Sequence, residues 1–388
     1  MRVLVATDQW SPDAVGGSAR VAAGTSLGFA RGGWDVVVLA PEMSGKPPVE
    51  TVDGVTLERR IRRGRLPQSV TDVVETWRSA RRMPRPDVLV SHQATVAVGL
   101  LLAQRGVPLV HVFHASAPLE ERFIRRHLRG LARTQSLLLD PLLVLLERVA
   151  VRRARVVAVL SDYSAGLVRS GHPSASARIL AVGGAVDVER FGGGDRATGR
   201  SLAGVGEDEV LLLTVRRLEP RMGVEELVRA AALLAAEGRP VRVAVAGSGA
   251  MLEPLERLAA ELGVGDRVRF LGRVPDDDLP HLYAGADLFV LPTVAYEGFG
   301  ISTAEALASG TPVVGTPVGA TPELLSPLDP RLVADGVDSH ALAAAIGHGI
   351  ESLGTDLPER AREYAHSHFS WDAAIGSWLA ALDAAKSS

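Results

Sequence analysis

The sequence predicts two doubly wound α/β domains in series, and three observations lead there. Short β-branched runs alternate with longer amphipathic stretches, the pattern of parallel sheets layered with helices. The alternation occurs twice, and between the two series it dissolves into Gly, Asp and Ser over residues 191–206, a linker by composition. The charge divides at the same place. Residues 1–190 carry 26 Lys and Arg against 17 Asp and Glu, and the remainder carries 16 against 28. A chain of 388 residues is too long for one ordinary domain and suits two, and 47% apolar residues can fill two cores.

Taken in order, the first series offers strands at 3–7, 36–39, 88–90, 109–113, 156–160 and 179–182, where Val, Ile and Leu run together. Helices fall between them at 19–31, 95–105, 119–129 and 142–153. The second series has strands at 210–215, 241–246, 268–271, 288–291, 312–315 and 332–334, with helices at 224–237, 252–261, 277–284 and 303–309. A last helix, 372–384, follows Ser370 as its N-cap. The expected division is a first domain over 1–190, a linker over 191–206, a second domain over 207–370, and a terminal helix, 371–388, that packs back on the first. Ligands of such sheets sit at the carboxyl ends of strands, so the two sheets should face each other across a cleft.

Composition excludes several classes of function. There is no cysteine, which removes disulfides, thiolate catalysis and Cys-ligated metal sites. No apolar run reaches the roughly 18 to 20 residues that span a bilayer; the densest, 137–151, is broken by Asp140, Pro141, Glu147 and Arg148 and reads as a buried helix. The N-terminus carries Asp8 and no cleavage-site pattern, so it reads as a first strand, and the protein is expected in the cytoplasm. Forty of the 42 basic residues are arginine, a codon effect. Arginines cluster at 59–65, 78–85 and 122–133; the third run could form a basic amphipathic helix on an anionic membrane, but solvated surface charge is the commoner explanation. Aromatics at 4%, with no recognised binding motif, argue against nucleic acid.

The strongest local signal is Tyr296-Glu297-Gly298-Phe299-Gly300-Ile301-Ser302-Thr303-Ala304-Glu305, which follows the strand DLFVLPT and runs into a helix. Glycines let the backbone approach a ligand, and amides at a helix start bind anions. Gly247-Ser248-Gly249 is a second Gly-rich turn, after the strand VRVAVA. His111 and His114 lie at the carboxyl end of a buried strand; no third ligand at a useful spacing makes them a metal site. The run Asp276-Asp277-Asp278 opens a helix, where acids cap and complement the dipole, and it is read as capping and not as a metal ligand set.

The segment 268–323 (VRFLGRV…LYAGADLFVLPTVAYEGFGISTAEALASGTPVVGTPVGATPE) closely resembles the retaining glycosyltransferases of family 4, with the GT-B fold of two Rossmann-like domains. Ser11-Pro12, Gly16-Gly17, RGGWDVVVLAP, VVAVLSDYSAGLV and GGAVDVERF extend the resemblance over nearly the full chain.

The resemblance implies a role for each matching residue. Glu297 would contact hydroxyls of the donor sugar and Glu305 the ribose of its nucleotide. Gly298 and the amides of Phe299, Gly300 and Ile301 would line the diphosphate and sugar, and Gly16 and Gly17 would touch the diphosphate from the other domain. Gly247 and Gly249 join the donor site, and the base would meet backbone at Gly272-Arg273-Val274. His114 would touch the donor sugar. The family places an Arg, then a Lys about five positions on, before a Gly: Arg217 fits the Arg, but Met222 stands where the Lys belongs, and the expectation is that Arg221 takes over. Asp13 and Glu120 lie near the site by topology only.

The activity so implied is transfer of a sugar from a nucleotide diphosphate sugar to a hydroxyl or amine of a small-molecule acceptor, with retention and with no metal or other cofactor. Two alternatives stay open, a pseudo-glycosyltransferase coupling a cyclitol and a non-catalytic nucleotide-sugar-binding protein.

Overall fold

In the computed structural model, which describes residues 1–13, 16–62, 67–126 and 130–387, the chain divides into two compact units. Unit 1 comprises Met1–Ala185 with Trp371–Ser388, and unit 2 comprises Val186–Ser370.

Unit 1 runs β1 (Arg2–Ala6), α1 (Gly17–Arg31), β2 (Asp35–Pro41), β3 (Val49–Val52), β4 (Val55–Ile61), α2 (Gln68–Ala80), β5 (Val88–Ser91), α3 (Ala94–Ala103), β6 (Leu109–Phe113), α4 (Ala117–Arg125), α5 (Gly130–Arg153), β7 (Val156–Val159), α6 (Asp162–Gly171) and β8 (Ile179–Ala181). Its sheet has the order β3-β4-β2-β1-β5-β6-β7-β8, parallel except for the β3–β4 hairpin. Unit 2 runs α7 (Val188–Gly192), α8 (Arg196–Ala203), β9 (Val210–Val215), α9 (Val224–Ala236), β10 (Val241–Ala246), α10 (Leu252–Glu261), β11 (Val268–Gly272), α11 (Leu279–Gly285), β12 (Leu288–Leu291), α12 (Ile301–Ala308), β13 (Val313–Gly315), α13 (Thr321–Leu325), α14 (Ser339–Glu351) and α15 (Leu357–Phe369). Its parallel sheet has the order β11-β10-β9-β12-β13. The central strands are mostly apolar because helices cover both faces.

The last helix, α16 (Trp371–Ser387), packs on α1 within unit 1. Gly24 and Gly28 on α1 and Gly32 at its C-cap form an i, i+4 stripe, and the space above them is filled by Trp371, Ile375 and Leu379, themselves four apart. Trp378 stands edge-on to Phe29, with ring centroids 6.3 Å apart.

Four readings of the sequence need correction. The segment 191–206 is not a loose linker: it carries part of α7 and all of α8, and these pack on α11 and α12. Asp187 and Asp195 cap the two helices through the amides of Arg190 and Thr198, and buried Arg200 pairs with Asp287 at 3.0 Å. The β4 strand was missed because an arginine holds one of its inward positions. Val55, Leu57, Arg59 and Ile61 are all buried, and Arg59 meets Asp13 and Glu50 at 2.6 Å each. The strand expected at 332–334 is a single bridge, Val333 to Gly315, after a 3-10 turn at Pro330–Leu332. Nor is the 137–151 run wholly buried, since Leu137, Leu138 and Leu145 are exposed on α5.

Parts of two arginine clusters, Arg63 to Arg65 and Arg129, lie outside the described residues, as does Leu128. Among the described residues no helix is long and apolar enough to cross a membrane.

Candidate functional site

In unit 2 the sheet order reverses between β9 and β12. Crevices at such switch points, beyond the carboxyl ends of the strands, are where open α/β sheets bind ligands. Arg216 follows β9 directly, Thr293 lies two residues past β12, and Glu297 comes four residues later.

These three side chains close a ring. Arg216 donates through Nη1 to Thr293 Oγ1 at 2.8 Å and through Nη2 to Glu297 Oε2 at 3.0 Å. Thr293 Oγ1 donates to the same Oε2 at 2.9 Å. Thr293 is fully buried, and the side chains of Arg216 and Glu297 are 6% and 14% exposed. Burial lowers the Arg216 pKa from its ordinary value, Glu297 opposes that lowering, and the nearby charges of Arg221 and Arg217 add to it.

The backbone of Glu297 is fixed as well. Its carbonyl accepts from Ala320 N at 2.9 Å, and Gly319, at φ +64°, passes so close that a Cβ there would stand 2.0 Å from the same oxygen. The preceding residue, Tyr296, has φ 58°, a conformation unusual for a side-chain-bearing residue. Arg221 Nη1 donates to the Tyr296 carbonyl at 3.0 Å and holds it there.

The structure therefore redistributes the expected arginine roles. Arg217 points outward, with 53% of its side chain exposed, and pairs with Glu219 at 2.9 Å. Arg221, expected to replace a lysine at 222, is instead a buried brace for the Tyr296 turn. The cation beside Met222 is Arg216, whose Nη2 lies 3.1 Å from Met222 Sδ.

The other expected donor residues of unit 2 lie at the carboxyl ends of β10, β11 and β12. Gly300, at φ 83°, is the N-cap of α12, so the amides of Ile301 and Ser302 form its first turn. Phe299 is buried edge-on against Phe369, ring centroids 5.6 Å apart, and Gly298 lies in the turn between Glu297 and Phe299. Gly247 and Gly249 sit against backbone: a Cβ on either would strike the carbonyl of Arg216 or Leu218. They let the 247–249 turn press on the Arg216 loop, joined by Leu218 N to Ser248 O at 2.9 Å. Gly272 accepts from Gly247 N at 2.7 Å. Arg273 and Val274 instead line a cavity of about 280 Å³ beside edge strand β11, and no member of the ring lines it.

Glu305 is fully buried in α12, and its Oε2 accepts from Tyr283 OH at 2.8 Å, which ties α12 to α11.

In unit 1, His114 follows β6, and the sequence reading missed its partner His92, which follows β5. Their rings stack with centroids 5.3 Å apart, and His92 Nδ1 lies 3.1 Å from His114 Nε2. His92 Nε2 lies 3.4 Å from Thr25 Oγ1, whose own proton goes to helix carbonyls, Val21 O at 2.7 Å being the nearer. Thr25 must then accept from His92 Nε2–H, which leaves His92 Nδ1 as the acceptor for His114 Nε2–H and gives His114 Nδ1 the free lone pair. Burial keeps all three histidines neutral: the pKa of His114 falls to about 4, that of His111 to about 3, and that of His92 well below 6.5. His111 is a core residue bonded to Ser91 Oγ at 2.9 Å. Gly16 and Gly17 form the N-terminus of α1.

Asp13 is engaged by Arg59, and Glu120 lies in the first turn of α4. Asp277 is fully exposed, and Asp278 is the N-cap residue of α11 without a side-chain capping bond. Among the described residues no three His, Asp or Glu converge as a metal site.

Comparisons with known proteins agree on one family. The model described as "Glycosyltransferase Family 4" matches residues 15–190, and "Glycosyl transferases group 1" matches residues 196–368. The D-inositol 3-phosphate glycosyltransferase of Mycobacteroides abscessus is 32% identical over 381 residues, covering 92% of this chain and 81% of the relative. That of Geodermatophilus obscurus is 34% identical over 310 residues, covering 77% of this chain and 66% of the relative, just under two thirds. Among solved structures, sucrose-phosphate synthase of Thermosynechococcus elongatus superposes with a TM-score of 0.80 at 22% identity, covering 97% and 96% of the two chains. Anabaena HepE, in complex with UDP-glucose, superposes with a TM-score of 0.75 at 19% identity, covering 98% and 99%.

Proposed function

The chain belongs to glycosyltransferase family 4 and has its GT-B fold, and from that premise we propose that it transfers a sugar from a nucleotide diphosphate sugar to a phosphorylated polyol, with retention and without a metal ion. The observation that carries the reading is the Arg216–Thr293–Glu297 ring at the switch point of unit 2. Its two contacts on Glu297 both fall on Oε2, so the carboxylate is fixed while Oε1 remains for a sugar hydroxyl. The amides at the start of α12 add partial positive charge for the diphosphate.

On this reading the acceptor oxygen bonds to the anomeric carbon as the bond from that carbon to the phosphate oxygen breaks. The acceptor proton passes to the departing phosphate oxygen on the same face of the sugar. No side-chain base is then required, and the protein's part is to position the reactants and stabilise charge on the leaving diphosphate. His114, neutral and with a lone pair on Nδ1, serves as a hydrogen-bond acceptor for a hydroxyl.

Two observations favour a phosphorylated acceptor. Both relatives named above are called D-inositol 3-phosphate glycosyltransferases. The residues of unit 1 also carry a basic excess, while unit 2 is acidic. The test is incubation of the purified chain with UDP-, GDP- and ADP-sugars and a set of inositol phosphates, following free nucleotide and products together by mass spectrometry. Nucleotide release matched by a glycosylated polyol phosphate is expected. Release matched only by free sugar, or no release, contradicts the reading.

A further inference from the structure

Only Ala115 and Ser116 separate His114 from α4. The course of the backbone at His114 therefore depends on how α4 is anchored. Apolar packing does little of that, since of the nine residues of α4 only Pro118 is buried. Anchoring falls to two carboxylates of α5, Asp140 and Glu147, which are two turns apart and so on one face of that helix. At the end of α4, Asp140 Oδ1 accepts from Arg125 Nη2 at 2.9 Å and from Arg122 Nε at 3.3 Å. At its start, Glu147 Oε1 accepts from Ser116 Oγ at 3.1 Å. The two helices run antiparallel, gripped at both ends.

The grip at the start is the buried one. Ser116 and Glu147 are both buried, and a third element reaches the same carboxylate oxygen: His172, the C-cap residue of α6, places Nε2 3.2 Å from Glu147 Oε1. A carboxylate oxygen accepts, so both neighbours donate to it. Ser116 gives up its usual local partner to do so. It is the N-cap residue of α4, where a serine hydroxyl ordinarily accepts from an amide of the first turn, yet its side chain makes no capping bond. Local rules are given up in this way at functional sites, where another constraint outweighs them. His114 is thus held twice. His92 holds its ring at 3.1 Å, and Glu147 holds its backbone through Ser116.

We infer that Glu147 is a positioning residue for transfer: through Ser116 it fixes the segment 114–116, so that His114 presents Nδ1 to a substrate hydroxyl. The inference rests on the proposed transfer and adds to it the buried carboxylate that sets the histidine's place. Glu147 itself touches neither substrate; its effect passes through Ser116 and the backbone.

The test compares the full chain as wild type, Ser116→Ala, Ser116→Thr, Glu147→Ala and Glu147→Gln. Three quantities are measured: initial rates of transfer, calorimetric affinity for UDP, GDP and ADP, and nitrogen chemical shifts in histidine-labelled protein. Ser116→Ala and Glu147→Ala should lower kcat about tenfold or more, as small misplacements of a reacting centre do, with nucleoside diphosphate affinity unchanged. Ser116→Thr, which keeps the hydroxyl, and Glu147→Gln, which keeps an acceptor oxygen, should recover most of the rate. In Ser116→Ala the ring-nitrogen resonances of His114 should move while those of His111, bonded to Ser91, stay in place. If Glu147→Ala unfolds, the two Ser116 variants and Glu147→Gln carry the comparison. The inference is overturned if Ser116→Ala keeps the wild-type kcat, or if Ser116→Thr and Glu147→Gln are both as slow as Ser116→Ala. Equal losses of kcat and of nucleoside diphosphate affinity, the mark of a general loosening of the fold, also overturn it. A wild type that transfers no sugar refutes the proposed function, and the chemical shifts then decide the inference: His114 resonances unmoved in Ser116→Ala overturn it.

Discussion

Arg216 Nη2 and Glu297 Oε2 are 3.0 Å apart, in a ring closed by the hydroxyl of Thr293. They come from the loops after adjacent strands, 81 residues apart in sequence, and each compensates the other's buried charge. Removing one partner of such a pair costs about 3–5 kcal/mol, because the survivor stays buried and unpaired. Glu297→Ala is therefore expected to lower the melting temperature as well as abolish transfer. Glu297→Gln, which keeps the shape and one acceptor oxygen, should fold and still lose about 100-fold or more in kcat. Differential scanning fluorimetry and initial rates check both, and a Glu297→Gln enzyme of full activity contradicts the assignment.

Thr293→Val retains the volume and removes the hydroxyl that links the pair. Leaving Arg216 Nη1 without its acceptor should cost about 1–3 kcal/mol. Because the side chain is fully buried, its effect on transfer must pass through the two partners it bonds, Glu297 and Arg216. A fall in kcat larger than any change in KM is expected, with recovery in Thr293→Ser. Unchanged kcat in Thr293→Val shows that Glu297 needs no such support.

Gly319→Ala tests the backbone under Glu297. Its Cβ would lie 2.0 Å from the Glu297 carbonyl oxygen, whereas at Gly238, also at positive φ (+76°), a Cβ meets nothing within 4 Å. The two substitutions share a left-handed penalty of about 1–2 kcal/mol, and only the first displaces the carboxylate. Donor binding should weaken in Gly319→Ala and not in Gly238→Ala; equal effects contradict the argument.

Histidine burial gives unit 1 an acid sensitivity of defined sign. The pKa values of His92, His111 and His114 are lower in the folded chain than in the unfolded one. The unfolded state thus takes up more protons as pH falls below about 6.5, and stability drops from there towards about pH 4, by roughly 1–3 kcal/mol per histidine. All five tryptophans, Trp10, Trp34, Trp77, Trp371 and Trp378, belong to unit 1, so their fluorescence reports this unit alone. Their melting temperature should fall steadily between pH 6.5 and 4, and His111→Asn should flatten that slope. A flat profile in the wild type contradicts the assignment.

The histidine chain also fixes tautomers. Nitrogen chemical shifts in histidine-labelled protein should show His92 and His114 both protonated at Nε2, and Thr25→Val should release His92 from that constraint. Protonation of His114 at Nδ1 contradicts the hydrogen-bond order from Thr25 to His114.

Sequence made legible whatever depends on a local pattern. Mostly apolar strands placed both sheets, and the EGFG turn before an apolar helix placed Glu297. Spatial pairing stayed hidden. Arg216 and Arg217 are adjacent, and only the alternation of β9 into its loop turns the first towards Thr293 and the second to solvent. His92 became visible only once β5 and β6 were paired in register, Ser91 beside His111. Arg59 looked like part of a solvated cluster because its partners, Asp13 and Glu50, come from a loop and from the neighbouring strand β3. Glu305 matched its motif, but nothing local shows its contact with Tyr283.

The most direct test of the central claim is the anomeric configuration of the first product formed by the wild-type chain from an α-linked nucleotide sugar, read by proton NMR during turnover. Transfer within a site organised by Glu297, with the phosphate oxygen taking the acceptor proton on the face it leaves, requires an α-linked product together with one nucleoside diphosphate per glycoside. A β-linked product, or a nucleotide released with no glycoside formed, contradicts the account.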